Sequence, residues 1–309
     1  MVRKEIARIS NPLLRPGYSG AHSFKELMAK YRLTCHVTYA ILIYCMVFFY
    51  PKQLYGAFES ESLSPLQNAA GSIPFSIHPN SLGALSDPTI ISVNRSPFGA
   101  GSLNRKFGLK SLTKSLFVVG GNFQDFGVGL GVSRFGNPNY QETLVSILGA
   151  KNYKELVQLG ISLNMYQLRI SNYGQAWAIG SRISIRYTMG AKVETMMSYL
   201  NANRPVIGQS KEKLPQVISA GILVRQNEKI TGQASLVQDT EFPISVRFGM
   251  IYKLLDQMDI AIGKIQQPNI FTTGGCINWK NFRIEFSYLF YADLGFITYQ
   301  TGINYTHIP

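Results

Sequence analysis

The fold is decided by the stretch FRIEFSYLF at Phe282–Phe290, because its side chains alternate in character with a period of two. Every second position is aromatic or aliphatic: Phe282, Ile284, Phe286, Tyr288 and Phe290. The positions between them include Arg283, Glu285 and Ser287. Successive residues of a β-strand point to opposite sides of a sheet. The pattern therefore predicts a strand whose two faces meet different surroundings.

The same alternation recurs along most of the chain, for example at Val157–Met165, Trp177–Tyr187, Ile244–Tyr252 and Ile297–Tyr305. The segments run for about 9–13 residues, whereas common soluble strands have roughly 5–6 and about 9–11 tilted residues cross a bilayer. We predict about 14 strands in consecutive order, a count of the kind that closed barrels have. The first of them is placed at Thr89–Arg95, and Ser96–Leu112 is interpreted as a loop.

Two all-β architectures fit this alternation. A soluble sandwich would bury the apolar face between two sheets, whereas a membrane barrel would turn it towards lipid. Strand length and short turns favour a transmembrane antiparallel up-and-down β-barrel, in which closure removes the unpaired edges that lipid forbids. The low content of charged residues, 15%, is also typical of membrane barrels.

The amino-terminal region differs from the rest of the chain. An apolar run at Leu33–Tyr50 follows Lys30 and Arg32, and small residues occur at Gly56–Ala57. This arrangement predicts a signal peptide within residues 1–56, and an uncleaved signal anchor is the alternative. Either form implies export. Residues 57–88 are rich in turn-forming residues and are a candidate plug, and residues 89–309 form the predicted barrel.

Composition and motifs exclude several classes of function. The net charge of +13 is scattered singly along the alternating segments, so we predict no nucleic-acid partner. His78 and His307, the histidines beyond the export segment, lie far apart, and no metal-ligand spacing or catalytic triad is evident. We predict a non-enzymatic protein without metal or cofactor. An outer-membrane lipid hydrolase, with a serine near either histidine, is kept as an alternative.

Charged and small residues on the less apolar face indicate what the lumen holds. We predict that seven charged residues face the lumen: Arg134, Arg182, Arg186, Lys229, Arg247, Arg283 and Glu285. They form either a solvated lining or a basic interior that attracts anionic ligands or anchors a plug. Gly127, Gly129 and Gly131 share one face, which indicates close approach of another segment or a bend in the barrel wall.

The carboxyl-terminal stretches FPISVRFGMIYKLLDQMDIAIGK at Phe242–Lys264 and FTTGGCINWKNFRIEFSYLFYADLGFITYQTGINY at Phe271–Tyr305 carry a family resemblance. They resemble the last hairpins of PorV/PorQ-like outer-membrane proteins, within the broader FadL-like group. HPNSLGALSDP at His78–Pro88 resembles the segment that precedes their first strand, without its Asn-Pro-Ala core. The resemblance implies a fourteen-stranded barrel in the outer membrane of a Bacteroidota-type bacterium.

Two roles follow from this resemblance. The first is a component of a protein secretion pathway of the type IX kind, with secretion-machinery proteins as partners. The alternative is a FadL-like outer-membrane transporter of hydrophobic compounds, with a hydrophobic small molecule as its partner. Outer-membrane lipid surrounds the barrel in both. A lumen filled by the plug, with neighbouring subunits, would favour secretion, and a continuous apolar tunnel would favour transport.

Overall fold

A computed structural model describes residues 57–60, 64–75, 81–93, 96–124, 126–154, 156–240 and 242–307. They belong to one compact unit, Pro51–Pro309, and the other unit, Met1–Tyr50, lies outside the described residues. The predicted signal segment, residues 1–56, therefore also lies outside them, so its cleavage stays a prediction. Among the described residues, no helix has the length and apolar character needed to cross a membrane.

The described chain forms a closed antiparallel barrel of fourteen strands, with a separate two-stranded sheet in one connection. The strands are β1 Phe98–Arg105, β2 Thr113–Phe123, β3 Phe126–Asn137, β4 Tyr140–Tyr153, β5 Val157–Ile170, β6 Gly174–Met189, β7 Val193–Leu200, β8 Val206–Ile207, β9 Glu212–Lys213, β10 Val217–Arg225, β11 Ile230–Asp239, β12 Ser245–Leu255, β13 Met258–Ile265, β14 Ile270–Trp279, β15 Phe282–Tyr291 and β16 Phe296–Thr306. Barrel strands pair with their neighbours in sequence, β7 pairs with β10, and β1 pairs with β16 to close the barrel. The predicted all-β barrel is confirmed.

The first barrel strand is not the predicted one. Within Thr89–Arg95 the structure has a short helix, Ile90–Val93, and β1 instead lies at Phe98–Arg105, in the stretch interpreted as a loop. In β1 the inward residues are Phe98, Ala100, Ser102 and Asn104. Two of the outward positions are glycine, so apolar alternation is weak there. Pairing with β2 and β16 makes this segment a strand.

The outward face of the barrel is apolar. In β3 the exposed residues are Phe126, Val128, Leu130 and Val132, and the residues between them are buried. The same order holds in β5, where Leu159, Ile161, Leu163 and Met165 are exposed. A soluble monomer rarely exposes so large an apolar surface. Because a single closed sheet leaves no second layer to cover these side chains, the sandwich alternative is excluded and the outward face suits hydrocarbon.

The connections at the two ends of the barrel differ in length. At one end they run over residues 106–112, 138–139, 171–173, 201–216, 240–244, 266–269 and 292–295, and this end is called the loop rim. At the other end they run over residues 124–125, 154–156, 190–192, 226–229, 256–257 and 280–281, and this end is called the turn rim. The strands β8 and β9 lie in the longest connection, at the loop rim.

A buried segment packs against the inward face of the strands. We call the described residues 57–60, 64–75 and 81–93 the lumen segment; it includes the helices Pro65–Ala69 and Ile90–Val93. One apolar cluster joins it to β7, β10 and β12–β14: Leu66, Ala69, Ala70, Ile73, Phe75, Met196, Leu223, Ile251, Ala261 and Cys276. A second cluster joins Leu82, Leu85 and Ile91 to residues of β1, β2 and β4. Residues 89–93 thus belong with this segment and not with the strands.

Glycines of the inward face let the lumen segment lie directly against the strands. A Cβ atom at Gly127 would lie 2.6 Å from Ile91 Cγ2 and 2.7 Å from the Ile91 carbonyl oxygen. A Cβ atom at Gly131 would collide with the Leu85 side chain. Real Cβ atoms need a wider separation than this, so glycine is required at Gly127, where backbone approaches, whereas at Gly131 a Cβ atom would displace the Leu85 side chain. Close approach of the lumen segment therefore explains the run of glycines in β3.

Candidate functional site: the lumen and its mouth

The alternation of the strands turns most of the predicted lumen charges inward. Arg182 and Arg186 lie on the buried face of β6. Arg247 lies on the inward face of β12, where its Nη1 donates to the Ser72 carbonyl oxygen. Arg283 and Glu285 lie on the inward face of β15, and Glu285 is fully buried.

Two of the predicted lumen residues lie elsewhere. Arg134 follows Val132 on the outward, exposed face of β3, near the loop rim. Lys229 is exposed in the turn between β10 and β11. A long basic side chain such as that of Arg134, near the end of a strand, can reach the headgroup region from the outward face. The placement of Arg134 and Lys229 in the lumen is therefore corrected.

A buried group of charges ties the lumen segment to β6, β7 and β10. Arg186 Nη2 lies 2.6 Å from Asp87 Oδ2, and Arg186 Nη1 lies 3.0 Å from Glu194 Oε2. Arg225 Nη1 lies 2.6 Å from Glu194 Oε1. Asp87 also accepts hydrogen bonds from the backbone N–H and the hydroxyl of Thr89. Charges so far from water persist only when they are paired, so the lumen segment has one favoured position against this part of the barrel.

A second buried carboxylate holds the first helix of the lumen segment. Glu285 Oε2 accepts from the Ser64 hydroxyl at 3.2 Å and from the Leu66 N–H at 3.1 Å. Its Oε1 accepts from Asn304 Nδ2 at 3.1 Å and pairs with Arg283 Nε at 3.2 Å. Unsatisfied N–H groups at a helix N-terminus favour a negative charge there. Glu285 thus binds the start of the Pro65–Ala69 helix to β15 and β16.

A cavity of about 310 Å³ opens on the loop-rim side of this segment. Most of its apolar lining comes from β10, β11, β13–β15 and the connection that follows β11: Val217, Val237, Phe242, Pro243, Ile265, Ile270, Leu289 and Tyr291. Polar residues line the cavity in about equal number and include Asn68, Ser72, Arg247 and the charged Asp239. Arg247 donates to both the lumen segment and Ser245, so its guanidinium is held in place. Apolar atoms cover more of the cavity wall than polar atoms do, and small-molecule sites commonly combine such a wall with polar groups held in place.

A second cavity, of about 430 Å³, lies on the β1–β4 side of the same rim. Its lining is more charged and includes Glu59, Lys106, Lys114 and Glu142. Lys106 Nζ lies 2.5 Å from Glu59 Oε2, and both residues line the first cavity as well. The Lys106–Glu59 ion pair therefore stands between an apolar side and a charged side of the mouth.

Sequence reasoning missed the acidic partners of the lumen arginines. Asp87 lies in a stretch that reads only as turn-rich, so nothing in the sequence connects it to Arg186. Glu194 and Asp259 do occupy inward positions of β7 and β13. Strand alternation could have predicted their direction. It could not have predicted that they pair with Arg186 and Arg283, because such contacts depend on the register between strands.

The site shows no catalytic or metal chemistry among the described residues. Within that part of the chain, no group of three or more His, Cys, Asp or Glu side chains could hold a metal ion. His307 is exposed beyond β16, and its backbone N–H donates to the Pro97 carbonyl. No hydrogen bond joins a described serine hydroxyl to it. His78, the other histidine of the hydrolase alternative, lies outside the described residues.

Comparison with known proteins gives a relationship of fold. No family model and no curated protein matches the sequence. Among solved structures, the CymD monoaromatic hydrocarbon channel is 13% identical with a TM-score of 0.61, covering 81% of this chain and 98% of its own. The Pseudomonas putida toluene transporter TodX is 11% identical with a TM-score of 0.59, covering 81% and 98%. A Pseudomonas aeruginosa FadL homologue is 9% identical with a TM-score of 0.55, covering 81% and 99%.

Each of the three proteins is covered over nearly its whole length, and 81% of this chain takes part in each comparison. At such low identity the likeness shows the fold alone. None of the three is described as a secretion component, so the expected PorV/PorQ-like relationship is not supported by them. The chain therefore has the barrel fold of FadL-type channels.

Proposed function

We propose that this protein is an outer-membrane channel that admits small hydrophobic molecules. The apolar cavity at the loop rim carries the proposal, because it presents Val237, Ile265 and Leu289 to a compound that arrives from that side. Its volume of about 310 Å³ suits a ligand of small size. The likeness to CymD, a monoaromatic hydrocarbon channel, and to TodX, a toluene transporter, supports the same class of compound.

Placement in the outer membrane follows from the two surfaces of the barrel. The outward face is apolar across the strands, and closed antiparallel barrels of this kind are typical of that membrane. Such barrels have short periplasmic turns and longer external loops. We therefore assign the loop rim to the cell exterior and the turn rim to the periplasm.

The lumen segment closes the path below the cavity. It packs against strands on both sides of the barrel and is held by Asp87 at β6 and by Glu285 at β15 and β16. A compound that leaves the cavity for the periplasm must pass this segment. Passage therefore requires the segment to shift, and its ionic contacts set how readily it does so. A filled lumen is the feature expected above of a secretion component, so the channel role is supported here by the cavity and by the nature of CymD and TodX, and not by an open tunnel.

The test uses two neighbouring residues of β11 that point in opposite directions. Val237 is buried and lines the cavity, whereas Leu236 points outward. Intact cells that express the full chain are supplied with radiolabelled toluene, and the initial rate of entry is measured. We expect Val237→Trp to reduce entry towards that of cells without the protein, because the indole fills the cavity. Leu236→Trp should leave the rate unchanged.

A small sugar supplied in parallel controls for general leakage. Entry of the sugar should be the same with and without the protein. The proposal fails if toluene enters no faster in cells that contain the folded protein. It also fails if the Trp substitutions at positions 236 and 237 reduce entry equally, because the effect would then not depend on the cavity.

A further inference from the structure

The outward face of the barrel strands carries charges of one sign only, whereas the inward face carries both. All the acidic residues of the barrel strands lie at inward positions: Glu142, Glu194, Asp239, Asp259 and Glu285. The outward charges are all basic: Arg105, Arg134, Lys151, Arg169 and Lys264. An outward face that only had to contact hydrocarbon would need neither sign, so the basic residues call for an anionic partner.

These outward basic residues are concentrated at the loop rim. Arg105, Arg134, Arg169 and Lys264 lie within the last few residues of β1, β3, β5 and β13 at that end, whereas Lys151 lies near the turn rim. Arg105 Nη1 donates to the Tyr299 hydroxyl at 2.8 Å, and Lys264 Nζ lies 3.7 Å from the centroid of the Phe271 ring. Such contacts with outward aromatic side chains hold the charges against the barrel surface at the level of lipid headgroups.

Arg134 and Arg169 form the densest part of this surface, together with Gln141. Arg134 Nη2 donates to Gln141 Oε1 at 2.7 Å, and Gln141 is the direct cross-strand partner of Arg169. The two arginines lie two strands apart, about 10 Å across the sheet. Gln167 and Gln175, which hydrogen bond to each other, extend the polar surface on β5 and β6. Two exposed guanidinium groups at this spacing can bind one phosphate or two neighbouring phosphates.

We propose that the outward surface formed by Arg134, Gln141 and Arg169 binds the phosphate groups of an anionic glycolipid in the outer leaflet. The inference rests on the membrane placement given under the proposed function, but not on transport. Charge complementarity carries it, because no described strand residue of the outward face is acidic and a guanidinium pair is the favoured partner of phosphate. The lipid would hold the loop rim at the headgroup level and surround the mouth of the channel.

The test is native mass spectrometry of the full chain, folded in a neutral detergent and titrated with diphosphoryl lipid A. The dephosphorylated lipid and a zwitterionic phospholipid serve as comparison ligands. We expect retention of the diphosphoryl form in preference to both. Arg134→Gln combined with Arg169→Gln should weaken its binding by about tenfold or more. Lys151→Gln, which removes an outward charge at the other rim, should leave binding within about twofold of the wild type.

Several outcomes would overturn the proposal. Equal retention of the phosphorylated and dephosphorylated lipids would remove the role of phosphate. If the double Gln variant and Lys151→Gln lose the same amount of affinity for diphosphoryl lipid A, the lipid is attracted by general charge only. Displacement of the lipid by an equal concentration of inorganic phosphate would indicate a free-phosphate site.

If the double variant does not fold, Arg169→Gln alone decides, because that exposed side chain can be replaced without disturbing the interior. Loss of toluene entry with intact lipid binding would affect only the proposed channel function.

Discussion

Arg186 and Asp87 form a buried ion pair although 99 residues separate them in the sequence. The pair joins the inward face of β6 to the lumen segment, and Glu194 and Arg225 extend it to neighbouring strands. The side-chain exposure of Asp87 is 1% and that of Arg186 is 8%. A buried ion pair adds little net stability by its own attraction, but removal of one partner leaves a buried charge and destabilises the protein strongly.

Asp87→Ala should therefore destabilise the protein strongly. Removal of one partner of a buried ion pair costs about 3–5 kcal/mol, because the remaining charge stays away from water and loses much of its compensation. Glu194 cannot compensate fully, since it is shared with Arg225. The free energy of unfolding in lipid vesicles gives the magnitude. Liposome swelling should also show faster entry of a small sugar, because the lumen segment is released on that side.

A matched double variant separates the charge effect from the loss of packing. Asp87→Leu combined with Arg186→Met replaces the pair with apolar side chains, and such replacements are often neutral or stabilising. We expect the double variant to be more stable than Asp87→Ala. If Asp87→Ala unfolds like the wild type, the ion pair does not hold the lumen segment.

Gly131 and Leu85 should show strong energetic coupling. A Cβ atom at Gly131 would collide with the Leu85 side chain, so Gly131→Ala should cost about 1–3 kcal/mol through overpacking. Leu85→Ala removes the colliding atoms, and the double variant should recover part of this cost. A double-mutant cycle of unfolding free energies measures the coupling, which we expect at about 0.5–3 kcal/mol. Strict additivity would mean that the two residues do not touch.

Arginine substitutions at Phe286 and Phe290 test how deep these two outward positions lie in the bilayer. Both alternate outward along β15, with Phe286 near its middle and Phe290 near the loop rim. Phe286→Arg should cost roughly 2–4 kcal/mol in vesicles, whereas Phe290→Arg should cost roughly 0–1 because the guanidinium reaches the headgroups. Both losses of unfolding free energy are measured in vesicles of fixed lipid composition. Equal costs would contradict the assigned position of the strand in the bilayer.

Substitution of Glu285 should destabilise the protein far more than substitution of its neighbour Ser287. Glu285→Ala removes the acceptor of the Leu66 N–H and the counter-ion of Arg283, so we expect a loss of about 3–5 kcal/mol. Glu285→Gln keeps an acceptor and should cost less, about 1–3 kcal/mol. Ser287 is equally buried on the same face, and its hydroxyl makes no hydrogen bond among the described residues. Ser287→Ala should therefore be close to neutral, and comparable losses at both positions would exclude a specific role for Glu285.

The predicted and observed structures agree most closely where alternation is strong. The alternating stretch Phe282–Phe290 is strand throughout, and its alternate apolar residues from Phe282 to Phe290 point outward as expected. Agreement fails at β1, where glycine at outward positions weakens the period and only pairing with β2 and β16 creates the strand. It fails again at Arg134, since the position of a residue along a strand decides whether an outward charge meets hydrocarbon or headgroups.

The sequence by itself determined that the chain is a long-stranded all-β protein with one apolar face, because a period of two is a local property of consecutive residues. It also indicated the close approach of another segment through the glycines of β3. Only the tertiary structure decided which residues fill the lumen, how Asp87 and Glu285 hold them, and where the cavity opens. Those features depend on strand register and closure, which bring together residues far apart in the chain and leave no periodic trace in the sequence.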